Sequence, residues 1–251
     1  MLKQTVLAFL LLSCAAVSLH AGTPFITDDP GFVGKGQWEI KFGSLYERHR
    51  DAAPDVITAP VDINYSIIDH LKLNLTLNER TIVTPQGTVY SGIGDMDFKF
   101  KYRFLDEKEK SWVPALSFAP DVTIPSGEDK RGLGNGYYGF RVPFQLGKTI
   151  GKYSVFAESG YQFQFDRKAT DSVLYGAGFQ YQFTEKFSAG IELNGFRPSK
   201  QPDKHQLLSN LGLTYVLSKR YQIQGSVGRS LRNDSVGGPK VLGQFFFQIN
   251  F

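Results

Sequence analysis

The stretch Gly92–Phe104 reads GIGDMDFKFKYRF, and from Asp95 onward it alternates without a miss. Met96, Phe98, Phe100, Tyr102 and Phe104 fall on one side; Asp95, Asp97, Lys99, Lys101 and Arg103 fall on the other. Successive side chains of a strand point to opposite faces, so this is a ribbon with one apolar face and one charged face. A helix would scatter both sets around its axis. Unpaired charge is very costly in a dry core, so the charged face meets water and the other meets hydrocarbon, protein or lipid.

The same pattern runs outward in both directions. Trp38, Ile40, Phe42 and Tyr46 alternate before it, as do Val61, Ile63, Tyr65 and Ile67, and then Leu71, Leu73, Leu75 and Leu77. After it come Trp112–Ile124, Tyr137–Leu146, and stretches around Tyr153–Phe165, Val173–Phe183, Phe187–Leu193, Leu211–Leu217, Tyr221–Leu231 and Val241–Phe251. That predicts twelve strands. Many reach ten or more residues, whereas soluble strands average about 5–6 and tilted membrane strands need about 9–11. Short connections (68–70, 105–111, 147–152, 184–186, 218–220) alternate with longer polar ones (48–55, 83–91, 125–136, 166–172, 197–206, 232–239). Short turns at one end and long loops at the other are the pattern of outer-membrane barrels, and an even strand number leaves both termini at the short-turn, periplasmic end.

Composition fits this and excludes other classes. The 251 residues carry a formal charge of +4, too mild to imply nucleic acid. Mean hydropathy is −0.22 and no long apolar run follows residue 20, which excludes a helical membrane protein but not a barrel. Residues 1–21 read as a secretory signal, with Lys3, an apolar Thr5–Leu12 and cleavage after Ala21; lipidation at Cys14 is the alternative. Cleavage would remove the single cysteine, leaving no thiol or cysteine metal site. Residues 22–36 (AGTPFITDDPGFVGK) show no alternation and read as a periplasmic lead-in, with 37–251 the barrel. A soluble barrel would turn its aromatic face inward. Strand length, loop asymmetry, aromatic residues near strand ends (Trp38, Tyr46, Tyr102, Phe104, Trp112, Tyr153, Phe165, Phe183, Tyr221) and the final Phe251 favour lipid outside. The predicted class is all-β, a twelve-stranded antiparallel transmembrane up-and-down barrel.

Several stretches resemble the outer-membrane family of the MetA pathway of phenol degradation: ITDDPGFVGKGQWEI (26–40), GIGDMDFKFKYRF (92–104), PALSFAPDVTIPSGEDKRGLGNG (114–136) and the closing FFFQINF (245–251). The resemblance implies a transporter-like barrel passing small aromatic or apolar molecules, and a distant similarity to long-chain fatty acid channels.

The chemistry-bearing residues point the same way. There is no Gly-x-Ser-x-Gly, and the histidines are His20 in the leader, His49 and His205 in outer loops and His70 in an inner turn, so no catalytic residue, metal or cofactor is expected. Asp28 and Asp29 either cap a turn or pair with basic residues as part of a plug in the mouth. Glu39, Lys41, Asp62, Lys72, Asp95, Asp97, Lys99, Lys101, Arg103, Asp121, Arg141, Glu158 and Glu192 all fall on the polar face and are expected to line the lumen. Eight strands leave a filled interior and sixteen an aqueous channel, so twelve should enclose a narrow lumen. Pro114, Pro120 and Pro143, with Pro60, interrupt strands, and a closed barrel has no edge to hold them. Each should mark a lost ladder bond or a bulge; the three clustered prolines suggest a notch in the wall, or a bulge that only sets curvature. The expected function is passive passage of small hydrophobic or aromatic compounds through the outer membrane of a Gram-negative bacterium. A structural or adhesion barrel with a closed lumen, and a lipid-modifying barrel enzyme, are the alternatives. The expected partners are outer-membrane lipid, the solute and the barrel-assembly machinery.

Overall fold

A computed structural model describes residues 24–49, 53–166, 169–200, 205–232 and 239–251. Its strands are β1 (Trp38–Arg48), β2 (Asp55–Ile68), β3 (Leu71–Val83), β4 (Val89–Ile93), β5 (Met96–Leu105), β6 (Ala115–Phe118), β7 (Asp121–Ile124), β8 (Gly139–Ile150), β9 (Tyr153–Gln164), β10 (Ser172–Gln182), β11 (Phe187–Pro198), β12 (Gln206–Val216), β13 (Tyr221–Ser230) and β14 (Val241–Asn250). β4 and β5 form one wall strand, and β6 and β7 another, giving twelve. All pairings are antiparallel, and β1 closes on β14 with Glu39 opposite Asn250 and Arg48 opposite Val241. Closure of β1 on β14 pairs the wall strands on both sides, as hydrocarbon demands, and among the described strands leaves only β4, paired to β3 alone, with an open edge at the long-loop end.

The wall is apolar outside and polar inside. On β11, Ile191 is 58% exposed while its neighbour Glu192 is 2% exposed; on β8, Phe144 is 56% exposed while Gln145 is 2% exposed. No soluble barrel arranges its faces so, because it would leave a continuous aromatic coat in water. The inward polar groups satisfy one another: Ser117 Oγ donates to Gln145 Oε1 at 2.8 Å, Gln145 Nε2 to Glu158 Oε2 at 2.8 Å, and Gln180 Nε2 to Ser188 Oγ at 2.7 Å.

Several boundaries differ from the periodicity reading. β8 continues to Ile150, so its turn shrinks to two residues, with Gly151 at φ +60°. β11 runs on to Pro198 and β12 starts at Gln206, each taking an end of the expected 197–206 connection, and Trp112–Pro114 stay outside the ladder. The opening ribbon is broken at Gly94–Asp95. Thr76 pairs with Asp97 on β5, but Arg80 pairs with Gly92 on β4, a slip of one residue. The slip takes Asp95 out of the polar row, so it is not a wall residue of the lumen as expected. Its carboxylate instead accepts the Gly127 N–H at 3.1 Å and the Asn135 N–H at 2.7 Å, which bolts down the loop after β7.

Pro120 and Pro143 cost the ladder donors without making a bulge. Tyr102 pairs with Phe118 and Lys99 with Asp121, a single register across Pro120. Phe118 pairs with Phe144 and Asp121 with Arg141, again one register across Pro143. Each proline lacks a donor but keeps its carbonyl: Phe100 N–H donates to Pro120 O at 2.9 Å, and Ala119 N–H to Pro143 O at 3.0 Å. The register shift in this pair lies instead between Arg103 and Leu105, opposite Leu116 and close to Pro114 at the short-turn end. The wall at Pro120 and Pro143 is therefore thinned by two hydrogen bonds but not notched.

Candidate functional site: the lumen and its inserted segment

Alternation aims a ring of charge inward, and cross-strand register decides which charges meet. Asp121 on β7 is opposite Arg141 on β8, and they pair at 2.8 Å. Lys41 on β1 is opposite Asp62 on β2, but its ammonium lies 3.1 Å from Glu39, two residues along the same strand. Asp62 accepts the Thr76 hydroxyl at 2.6 Å, and Asp97 accepts that of Thr123 at 2.6 Å. Arg103 lies at the short-turn rim, 2.8 Å from Asp106. Glu158 is held by Gln145. Lys72 and Lys101 are directly opposite each other on β3 and β5, a like-charge pairing that is unfavourable alone.

Residues 24–34 supply what the wall lacks. The segment has two prolines and no hydrogen-bonding periodicity of its own, and it lies inside the barrel, so its backbone must find partners on the wall. Glu192 Oε1 accepts the Ile26 N–H at 2.8 Å and Oε2 accepts the Thr27 N–H at 2.9 Å, while Asn210 Nδ2 donates to the same carboxylate at 2.7 Å. Asp28 bridges two ammonium groups, Lys101 at 2.9 Å and Lys99 at 3.1 Å. Burial alone would raise the Asp28 carboxyl, but Lys101, Lys99 and Lys72 outweigh it and hold it well below the usual carboxylate range. Asp29 Oδ1 accepts the Gly31 N–H at 2.9 Å, closing a turn, and its carbonyl takes the Lys101 ammonium at 2.5 Å. The Phe32 ring lies 5.0 Å from the Arg103 guanidinium and 5.8 Å from the Lys72 ammonium.

Glycines make the room. A Cβ at Gly176 would run into Thr27, and one at Gly212 would lie 2.5 Å from the Phe25 ring; Gly147 likewise faces Pro30. These lie at inward positions of β8, β10 and β12, and Phe25 fills the space against Phe156, ring centres 5.2 Å apart. Sequence reasoning gave no role to Gly147, Gly176 and Gly212, or to Phe25, Phe32 and Phe156. The available signal was glycine on the polar face of three alternate strands, where a wall without an insert would carry larger residues.

Two cavities flank the segment. One, of about 470 Å³, opens at the short-turn end between Pro30, Phe32, Arg103, Lys148 and Phe156. The other, of about 190 Å³, lies between Phe25, Phe32, Asp28 and the polar rows of β1, β2, β3 and β5. At the opposite end Leu133, from the loop held by Asp95, is buried against inward Val56 and Ile82. Two of the described histidines lie at the rims: His70 is 3.7 Å from Asp106, and His205 is 2.8 Å from Arg232; His20 lies outside the described residues. Among the described residues no group of three or more His, Cys, Asp or Glu side chains could hold a metal ion.

Residues 21–243 match the family described as "Putative MetA-pathway of phenol degradation". The chain belongs to this family. No curated protein matches the sequence. Among solved structures, the COG4313 outer membrane channel from Pseudomonas putida F1 superimposes with a TM-score of 0.66 at 16% identity, over 89% of this chain and 98% of that one. The KdgM porin gives 0.60 at 11% identity, over 85% and 99%. The NanC porin gives 0.57 at 10% identity, over 85% and 98%. At these identities the similarity is one of fold, that of outer-membrane barrels.

Proposed function

We propose that this member of the phenol-degradation family is a passive outer-membrane channel for small hydrophobic or aromatic compounds in a Gram-negative bacterium. The observation that carries the reading is a lumen with charged walls whose inserted segment is held by a handful of polar contacts beside two cavities, not by a continuous core. Phe25, Phe32 and Phe156 place aromatic faces along the path, which suits ring-bearing solutes. The thirteen polar-face residues expected from the sequence would then act as lumen lining, apart from Asp95, and Asp28 and Asp29 as the bolts of a plug. Export would require cleavage after Ala21, insertion by the barrel-assembly machinery acting on the strand ending in Phe251, and outer-membrane lipid against the aromatic coat; residues 1–23 lie outside the described part.

Uptake of labelled phenol into asymmetric vesicles with a lipopolysaccharide outer leaflet tests this, because plain phospholipid passes neutral aromatics unaided. Protein-dependent uptake is expected, faster after deletion of residues 24–33. A second reading, a structural or adhesion barrel with a closed lumen, is favoured by the burial of Leu133 against Val56 and Ile82 at the loop end. No uptake in either form would select it.

A further inference from the structure

Three lysines share one carboxylate. Lys72 and Lys101 oppose each other across β3 and β5, and Lys99 follows Lys101 on the same inward row. The other lumen cations have carboxylates of their own: Lys41 has Glu39, Arg141 has Asp121 and Arg103 has Asp106. Lys99 and Lys101 have only Asp28 within ion-pair distance, and Lys72 forms no ion pair among the described residues. Asp97, Glu39 and Asp62 border the same cavity and offset part of this charge, but Glu39 is paired with Lys41, and Asp97 and Asp62 take hydroxyl hydrogen bonds from Thr123 and Thr76 rather than a lysine. Without Asp28, Lys99 and Lys101 would be left in a confined site without a bonded anion, which is unfavourable unless another anion takes its place. The completing anion here is not part of the wall. It belongs to the inserted segment, which the wall holds by few contacts.

We propose that Lys72, Lys99 and Lys101 form a binding site for the carboxylate of a small aromatic acid, and that Asp28 is the tethered occupant such an acid displaces. This rests on the reading of the chain as a channel for small aromatic compounds and narrows it to their acids. A neutral ring cannot take Asp28's place, because Lys99 and Lys101 would lose the carboxylate they both bond; another carboxylate replaces it charge for charge. The adjoining cavity of about 190 Å³ has room for a ring, since about 150 Å³ is enough to hold a benzene; most of its lining is polar, and its apolar part is Phe25, Ile26, Phe32 and Val33. Phe25 and Phe32 line that cavity as aromatic neighbours, and Asn74, opposite Lys99, is held by Asn64 beside the carboxylate position. A tethered competitor acts at an effective concentration in the millimolar range, so it weakens the apparent affinity of a free acid without abolishing the site.

Isothermal titration of the full-length barrel in detergent at low salt tests this, with benzoate, acetate and benzamide as probes. Asp28→Asn should bind benzoate about tenfold or more tightly than the unmodified protein, because the internal competitor is gone. Adding Lys99→Gln or Lys101→Gln should erase that gain. Acetate should bind more weakly than benzoate, and benzamide should not respond to Asp28→Asn. Heat-modifiable migration on gels checks assembly; if either glutamine variant does not assemble, Lys72→Gln on the Asp28→Asn background takes its place. No gain with Asp28→Asn, or a gain that persists without the lysines, overturns the proposal, and acetate binding as tightly as benzoate overturns its aromatic part. Phenol uptake separates this from the channel reading. Uptake without a benzoate site removes the acid site alone, whereas benzoate binding without uptake of either solute removes the channel.

Discussion

Glu192→Gln should unseat the inserted segment. Glu192 is 2% exposed, and its two oxygens accept the Ile26 and Thr27 N–H groups at 2.8 and 2.9 Å. Glutamine keeps one acceptor and turns the other into an amide donor facing a backbone donor. The carboxylate's charge is lost from the remaining bond as well. A hydrogen bond to a charged group contributes about 1.5–3 kcal/mol, and water has little access to replace it. At about 1.4 kcal/mol per tenfold, one lost bond shifts the balance between seated and released segment by roughly 10- to 150-fold. In planar bilayers the open fraction should rise by that order while the barrel migrates normally on heat-modifiable gels. If Glu192→Gln conducts like the unmodified protein while deletion of residues 24–33 opens the pore, Glu192 is not a bolt and the reasoning fails.

Deleting residues 24–33 should itself raise ion conductance, and unchanged conductance would sink the plug. Phe100→Arg puts a charge on the outward face about five residues, or roughly 13 Å of height in a tilted strand, from the short-turn end; it should lower stability in urea titrations from vesicles by about 2–4 kcal/mol, whereas Lys99→Gln should assemble normally. Equal stability of the two would reverse the facing. Gly176→Val, whose side chain would occupy the place of Thr27, should expose residues 24–34 to added protease and raise conductance; full protection would show that the segment does not depend on that contact. The Asp28 carboxyl is held below its ordinary value, so its grip is fully present above the usual carboxylate range and is lost only as pH falls through the lowered value. Conductance should therefore stay flat from about pH 7 to pH 4. A rise near pH 5–6 would assign the control to another group.

The family's fold was legible in the chain because alternation is a local property. Each of Phe98, Phe100 and Tyr102 is set against Lys99, Lys101 and Arg103 by the two-residue repeat of a strand, whatever its neighbours do. Strand length and the asymmetry of the connections then limited the architecture to a membrane barrel. The places where the reading slipped are those where one residue changes the repeat. Gly94 allows the ladder to lose step, and Asp95 turns to the outer loop instead of the row it alternates with. Pro120 and Pro143 removed donors, as the sequence implied, but a proline keeps its carbonyl, and one remaining bond per pair was enough to hold register.

By itself, then, the sequence determined the strands, their two faces and the inward charges, since these follow from periodicity and from the cost of placing charge in hydrocarbon. Only the tertiary structure decided what those charges do. Lys72 meets Lys101 because β3 and β5 pair in one register out of many, and Glu192 meets Ile26 across 166 residues of chain. Glycine on a polar face marks Gly176 and Gly212 as open positions, but not as space for Thr27 and Phe25, because the demand for that space comes from a segment far away in sequence. Ring closure brings these groups to a shared interior, and there the backbone of residues 24–34 finds Glu192 while Lys99 and Lys101 of the wall find Asp28.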